Sequence, residues 1–232
     1  MAKKRDALRV DVISIGTLSR NRLWNEADRT RTPHATTSLV RTGSRAILID
    51  PGLPGQALAA RLYERTGLRP DQIDVVFLTN FRPSHRAGLS LFTGAKLMIH
   101  EVEQASAREQ LEQLIDQAPP EDVDRKLLVE ELELLESIET APDQLAEGVD
   151  LFPLFGYTAG TCGVLVSSPT LTTLIAGDAV PTIDHFLAGQ VLSDAQDIKA
   201  SHEAMAEVYE IADLIVPGHD NLFVNPRMQG VS

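Results

Sequence analysis

The sequence has little cysteine, little positive charge and no long apolar run. Its 232 residues include a single cysteine, Cys162, which excludes an internal disulfide and gives no reason to expect an oxidising compartment. Lys and Arg number 21 against 33 Asp and Glu, and the resulting net charge of −12 repels phosphate backbones and anionic lipid. We therefore expect neither nucleic acid nor a membrane as a partner.

No apolar segment approaches the roughly 18 residues that are needed to span a bilayer. The basic start Lys3-Lys4-Arg5 leads into a short alternating segment rather than into the apolar core of a signal peptide. These features predict a cytoplasmic protein. The length and the 43% hydrophobic content predict a single α/β domain over residues 1–232.

Short apolar or alternating segments predict strands, and amphipathic segments predict helices. The predicted strands are 10–15, 38–40, 46–49, 75–78, 96–99, 151–154, 163–166, 171–175 and 214–216. Helices are predicted over 56–65 and 195–212. Residues 101–140 are acidic and leucine-rich, which predicts an inserted helical hairpin broken at 118–120.

Polar residues follow several of the predicted strands. Asp50, Asn80, Asp178 and His219 each stand in a loop just after an apolar strand. Strands and helices recur in two similar halves, and loops at the ends of sheets are where sites are commonly built. The sequence therefore predicts one site formed by these four loops.

Four segments in this order resemble the metallo-β-lactamase superfamily, which includes glyoxalase II, lactonases and ribonuclease Z. They read ILIDPG at 47–52, FLT at 77–79, IAGD at 175–178 and VPGH at 216–219, and they span most of the chain. The resemblance implies a four-layer αββα sandwich, which is an α/β fold. It also implies a metal-dependent hydrolase site in the loops.

The metal ligands of that family are only partly present in this sequence. The family's loop reads Thr-His-x-His-x-Asp-His, whereas residues 79–85 read TNFRPSH, so Asn80, Arg82 and Ser84 stand at three ligand positions. A fourth ligand, the histidine of a Gly-His-Thr motif, is replaced by Tyr157. The resemblance leaves His85, Asp178 and His219 as ligand candidates.

These replacements fall unevenly on the two metal positions of the family. One position loses all its ligands at Asn80, Arg82 and Tyr157, whereas the other keeps His85, Asp178 and His219. Three protein ligands and a water are a sufficient shell for zinc. We therefore expect either one divalent metal, most plausibly zinc, or no metal and a hydrogen-bonded remnant.

Further roles follow from the charges and from the resemblance. Arg82 would repel a nearby ion, and we expect it to pair with Asp178, directly or through water. Arg82 and Tyr157 are the candidate catalytic residues, with the Tyr157 hydroxyl as a donor to an oxyanion. The candidate ligand-binding residues are Arg82, Asn80, Ser84 and His185. Asp50 either forms a turn or, as the resemblance implies, supports the loop at Asn80 from behind.

Three functions remain open at this point. The first is binding of a small anionic molecule near Arg82, Tyr157 and His219 by a protein that is not a two-metal hydrolase. The second is hydrolysis of an ester, lactone or thioester with one metal ion on His85, Asp178 and His219. The third is an oligomeric interaction module, such as a homodimer, that uses residues 101–140.

Overall fold

A computed structural model describes residues 8–26, 30–43, 45–119 and 121–230 of the chain. The basic start at 3–5 and position 120 of the expected hairpin break lie outside these residues. No helix within the described ranges is both long enough and apolar enough to cross a membrane.

The strands of the described ranges form two six-stranded sheets. The first sheet has the order β1 to β6, with strands Arg9–Ser14, Thr37–Thr42, Arg45–Ile49, Val75–Leu78, Lys96–Ile99 and Glu139–Thr140. The second sheet has the order β12 to β7. In chain order β7 to β12 are Gln144–Ala146, Val149–Pro153, Cys162–Ser168, Leu171–Gly177, Leu214–Pro217 and Phe223–Val224.

Within the described residues, six α-helices accompany the sheets, and four short 3-10 helices lie outside them. The α-helices α1 to α6 are Gly55–Thr66, Pro83–Arg86, Glu101–Gln117, Val123–Glu136, Ile183–Ala188 and Ile198–Ile211. The 3-10 helices are Arg22–Trp24, Pro70–Gln72, Leu89–Leu91 and Pro226–Gly230. The expected helical hairpin corresponds to α3 and α4.

The alternation of side chains along β3 explains the layers. Leu48 packs with Leu58 and Leu62 of α1 on one face of the first sheet. Ile47 and Ile49 point the other way, into the core between the two sheets. A third apolar layer joins the second sheet to α6. The chain is therefore a four-layer αββα sandwich, as predicted.

The same topology brings the polar loops together. β3 and β4 are parallel neighbours, and so are β10 and β11, so the loops after each pair leave the same edge of their sheet. Two backbone hydrogen bonds join these edges, from the Cys162 amide to Thr79 O at 2.9 Å and from the Thr36 amide to Gly218 O at 2.6 Å. The four loops therefore meet at one rim.

The sequence missed several elements. Residues 183–188 form α5, where only a loop was expected, and the short strands β6, β7 and β12 were not predicted. The helix expected over 195–212 begins later, because the Asp197 side chain accepts from the Ala200 amide and caps α6. Short elements of this kind depend on tertiary contacts that leave no periodic pattern.

Gly177 closes β10 with a positive φ of 53°, and an added Cβ would lie 2.5 Å from Thr79 Oγ1 and 2.8 Å from Thr79 Cβ. Gly67 also has a positive φ, 73°, but has open space around it. We predict that Gly67→Ala lowers the free energy of unfolding by about 1 kcal/mol, from backbone strain alone. Gly177→Ala should lower the free energy of unfolding by about 2 kcal/mol more than Gly67→Ala does, because its added Cβ also overpacks the site. Urea unfolding measures both, and equal costs would contradict the close packing of β10 on Thr79.

Candidate metal centre

Three side chains from three loops meet at the rim of the sheets. His85 on α2, Asp178 after β10 and His219 after β11 each offer a ligand atom, and these atoms lie within 4.8 Å of one another. All three side chains are buried. Within the described residues they are the one group of this kind that could hold a metal ion.

His85 lies between two buried carboxylates. Its Nδ1 is 3.0 Å from Asp50 Oδ2, and its Nε2 is 2.8 Å from Asp178 Oδ2. Asp50 also accepts hydrogen bonds from the Thr79 amide, at 2.8 Å, and from the Thr79 hydroxyl, at 2.7 Å. Asp50 therefore supports His85 and the start of the loop from behind. This arrangement orients an imidazole toward a metal in many sites.

His219 has its proton position fixed by the backbone. Its Nδ1 lies 3.1 Å from Thr17 O and 3.0 Å from His34 O, and both are acceptors, so Nδ1 carries a hydrogen. Its Nε2 lies 2.9 Å from Asp178 Oδ1. In a neutral imidazole this nitrogen presents a lone pair to the carboxylate. A proton or a metal cation must therefore lie between the two atoms.

The geometry of Asp178 fits one metal ion. Its Oδ1 is buried, and no described donor is aligned to form a hydrogen bond with it, although His219 Nε2 is nearby. Two imidazoles and a carboxylate are a ligand set that zinc accepts. Tetrahedral zinc separates its ligand atoms by about 3.3 Å, given bonds of about 2.0 Å. Since the observed gaps are 2.8 and 2.9 Å, the side chains need to spread by roughly half an ångström to admit an ion.

The electrostatics favour a closed ion-paired network when no metal is bound. Burial alone would lower the pKa of His85, but the carboxylates of Asp178 and Asp50 outweigh it and raise the pKa to about 10. Burial alone would raise the pKa of Asp178, but His85 and His219 hold it well below its usual range. An incoming cation must therefore displace a proton from His85.

The residues at the other expected metal position are engaged elsewhere. Asn80 donates from Nδ2 to Asp178 Oδ2 at 2.9 Å and accepts from the Arg82 amide at 3.0 Å. The Arg82 guanidinium carbon lies 5.4 Å from the centre of the Tyr157 ring, a cation–π contact. The expected direct Arg82–Asp178 ion pair is not formed within the described residues, because Asp178 already has His85, His219 and Asn80 around it.

A cavity of about 680 Å³ opens beside His219. We call it the ion-side cavity, and its wall includes Ser84, Tyr157, His185 and His219. His185 lies on α5 rather than in a loop, and its Nδ1 is 2.8 Å from the Thr182 hydroxyl oxygen. Burial lowers the pKa of His185. Burial and the charges of Asp178 and Asp194 raise the pKa of Tyr157, so its hydroxyl stays protonated at neutral pH.

Three relevant side chains were missed in the sequence. Arg20 and Arg22 line the ion-side cavity from the N-terminal loop. Glu103 on α3 is buried, where it accepts from the Phe81 amide at 2.8 Å and from the Thr158 hydroxyl at 2.6 Å. Glu103 also accepts from the Gly160 amide at 3.2 Å, so it ties the loops of Arg82 and Tyr157 together. A lone glutamate in an acidic helix carries no signal of such a role.

Comparison with known families supports the fold. The sequence profile of the metallo-beta-lactamase superfamily matches residues 31–219. None of the curated proteins matches this chain significantly in sequence.

Solved structures of this superfamily are similar over most of the chain. A protein of Thermotoga maritima assigned to the metallo-beta-lactamases has a TM-score of 0.68 and 17% identity, covering 94% of this chain and 99% of that chain. AidC, a dizinc quorum-quenching lactonase, has a TM-score of 0.68 and 16% identity over 95% of this chain and 88% of that chain. A Staphylococcus aureus protein described as a metal-dependent hydrolase has a TM-score of 0.70 and 15% identity, covering 94% and 91%. At these identities the likeness concerns the fold.

Glu103→Gln tests the tie between the two loops. The amide offers only one acceptor oxygen, so at least one of the three buried donors loses its partner. We predict a loss of about 1–3 kcal/mol in the free energy of unfolding. Glu101→Gln is the matched control, since Glu101 lies in the same first turn of α3 but is exposed, and it should change stability by less than about 0.5 kcal/mol. Equal losses in the free energy of unfolding of the two variants would show that the hydrogen bonds of Glu103 contribute nothing to stability.

The raised pKa of His85 predicts how the metal-free protein responds to pH. The folded state holds a proton on His85 that the unfolded chain releases near pH 6.5, so in the presence of a chelator stability should fall between pH 6.5 and 8.5. The slope should approach about 1.4 kcal/mol per pH unit. His85→Gln should lack this slope, and the exposed control His202→Gln should keep it. Stability that rises with pH in this range would contradict the His85 network.

Proposed function

We propose a function for this chain, which belongs to the metallo-β-lactamase superfamily. In this proposal the protein is not a two-metal hydrolase. It binds a small anionic molecule beside a site for a single divalent ion. The ion site is the group His85, Asp178 and His219. The cleft next to it is the ion-side cavity.

One observation carries the proposal of a single ion. Asp178 Oδ1 is buried without an aligned donor, and the His219 nitrogen beside it has a lone pair directed toward it when neutral. A cation satisfies both atoms at once. The ion-paired network of His85 competes with the ion, so we expect weak binding that releases a proton.

We infer that no second ion binds from the contacts of Asn80, Arg82 and Tyr157, which stand where its ligands were expected. Asn80 uses its amide on Asp178 and on the Arg82 backbone. Arg82 brings a fixed positive charge, and Tyr157 carries a protonated hydroxyl. AidC is described as a dizinc enzyme, and the present chain shares its fold at 16% identity. These contacts support a departure from two-metal chemistry in this chain.

The charges of the ion-side cavity support an anionic ligand. Two guanidinium groups, Arg20 and Arg22, stand in its wall, against one carboxylate, Asp194. Tyr157 and His185 add polar groups at its floor, and a volume of about 680 Å³ suits a small metabolite. A carboxylate or a phosphate of modest size fits these walls.

Hydrolysis of an ester, lactone or thioester is the second candidate. It is favoured by the position of Tyr157, which lines the same cavity as His219 and whose protonated hydroxyl can donate to an oxyanion. A bound ion would supply a Lewis acid and a bound water of lowered pKa. His85, Asp178 and His219 would hold that ion, Asp50 would keep His85 oriented, and Tyr157 would orient the carbonyl oxygen.

A homodimer through the helical hairpin stays a prediction, as does a cytoplasmic location. The hairpin leaves Leu114, Val123 and Leu127 exposed, which is the observation that favours an interface there.

Zinc titration by calorimetry tests the single-ion proposal. We expect the unmodified protein to bind at most one zinc per chain. Ser84→Asp restores a carboxylate beside His219 and should tighten binding more than tenfold, which is about 1.4 kcal/mol or more. Ser84→Asn is the matched control, because it has nearly the same volume as aspartate without the charge, and it should bring no gain.

Two results would contradict this proposal. Tight binding of two zinc ions to the unmodified protein would show that Asn80, Arg82 and Tyr157 do not close the second position. Zinc-dependent ester or lactone turnover with one bound ion would instead favour the hydrolase over the ligand-binding protein.

A further inference from the structure

A second cavity, of about 430 Å³, lies between the loop at Phe81 and the face of α3. We call it the hairpin cavity. Its apolar wall consists of Phe81, Pro83, Ala107, Leu111 and Leu114. It shares no lining residue with the ion-side cavity. The hairpin cavity is therefore a separate place for a ligand.

Most ionisable groups of the hairpin cavity are already engaged. Both oxygens of Glu103 accept hydrogen bonds from the neighbouring loops. Arg86 forms an ion pair with Glu131, donates from Nε to Phe81 O at 3.0 Å, and lies 4.2 Å from the Phe81 ring centre. These groups hold the wall of the cavity and leave no strong donor for a ligand.

Arg82 is different. Its guanidinium stacks on the Tyr157 ring and pairs with no carboxylate in the described part of the chain. The charges of Arg82, Arg86, Glu103 and Glu131 sum to zero, so there is no general positive field in the cavity. The guanidinium donors of Arg82 are therefore the groups that can select a ligand. Two of these N–H groups can donate in parallel to the two oxygens of a carboxylate.

The Arg82–Tyr157 contact joins one lining residue of each cavity. Arg82 lines the hairpin cavity, whereas Tyr157 lines the ion-side cavity. The Glu103 carboxylate holds the loops of both residues in place. An anion in the hairpin cavity can therefore reach Arg82, whereas His219 lines only the ion-side cavity.

We propose that the hairpin cavity binds an amphipathic monoanion, an aliphatic carboxylate, with its carboxylate on Arg82 and its chain along the apolar face of α3. Leu111 and Leu114 would cover the chain, with Leu114 partly exposed at the mouth. Burial of the chain supplies affinity, and the Arg82 pair fixes the orientation. The proposal does not depend on a metal ion and goes beyond the function proposed for the ion-side cavity.

Calorimetry with octanoate, on the full chain in the presence of a chelator, tests this proposal. We expect one octanoate per chain and no binding of octylammonium, which has the same chain and the opposite charge. Arg82→Gln should weaken octanoate binding at least about tenfold through loss of the charged pair. Ala107→Phe should weaken it similarly by filling the cavity, without touching the guanidinium. The exposed Arg65→Gln on α1 is the control and should leave binding unchanged.

Arg22→Gln distinguishes the two cavities. Arg22 lines only the ion-side cavity, so the proposal requires octanoate binding to be unaffected by this change. Loss of octanoate binding in Arg22→Gln, with no change in Arg82→Gln, would place the carboxylate in the ion-side cavity and overturn this inference while leaving the proposed function intact. No octanoate binding, or equal binding of octylammonium, would also overturn it.

Discussion

The structure depends on how one buried carboxylate, Asp178, is compensated. An isolated buried carboxylate is strongly unfavourable unless charges and hydrogen bonds surround it. His85, His219 and Asn80 provide them, and Asp50 supports His85 from the far side. These residues follow four different strands, so the network also fixes the two sheets relative to each other. We propose that a single cation binds here, beside the buried Asp178 Oδ1 that has no aligned donor among the described residues.

The residues at the positions where the resemblance implies further ligands contact one another and their neighbours. Arg82 and Tyr157 contact each other, and Glu103 holds both of their loops. A fixed guanidinium stands close to where a second ion would need ligands, which disfavours that ion electrostatically. Arg82 lines the hairpin cavity beside α3, and Tyr157 lines the ion-side cavity beside His219.

The sequence predicted the sandwich and the meeting of His85, Asp178 and His219, because these residues follow apolar strands in an order that the family shares. It also predicted an ion pair between Arg82 and Asp178, because their opposite charges alone favour that pair. It could not foresee that Asn80 donates a hydrogen bond to Asp178 while Arg82 contacts the Tyr157 ring instead. The roles of Glu103, Arg20 and Arg22 depend on tertiary packing alone, and the helical position of His185 depends on the Thr182 cap.

We propose that this fold keeps one ion position, at His85, Asp178 and His219, and has closed the other. Anomalous X-ray diffraction at the zinc edge, on crystals grown with excess zinc, tests it most directly. We expect one anomalous peak per chain at this rim, within bonding distance of His85, Asp178 and His219. A second peak beside Asn80 and Tyr157, or no peak at the three candidate ligands, would contradict it.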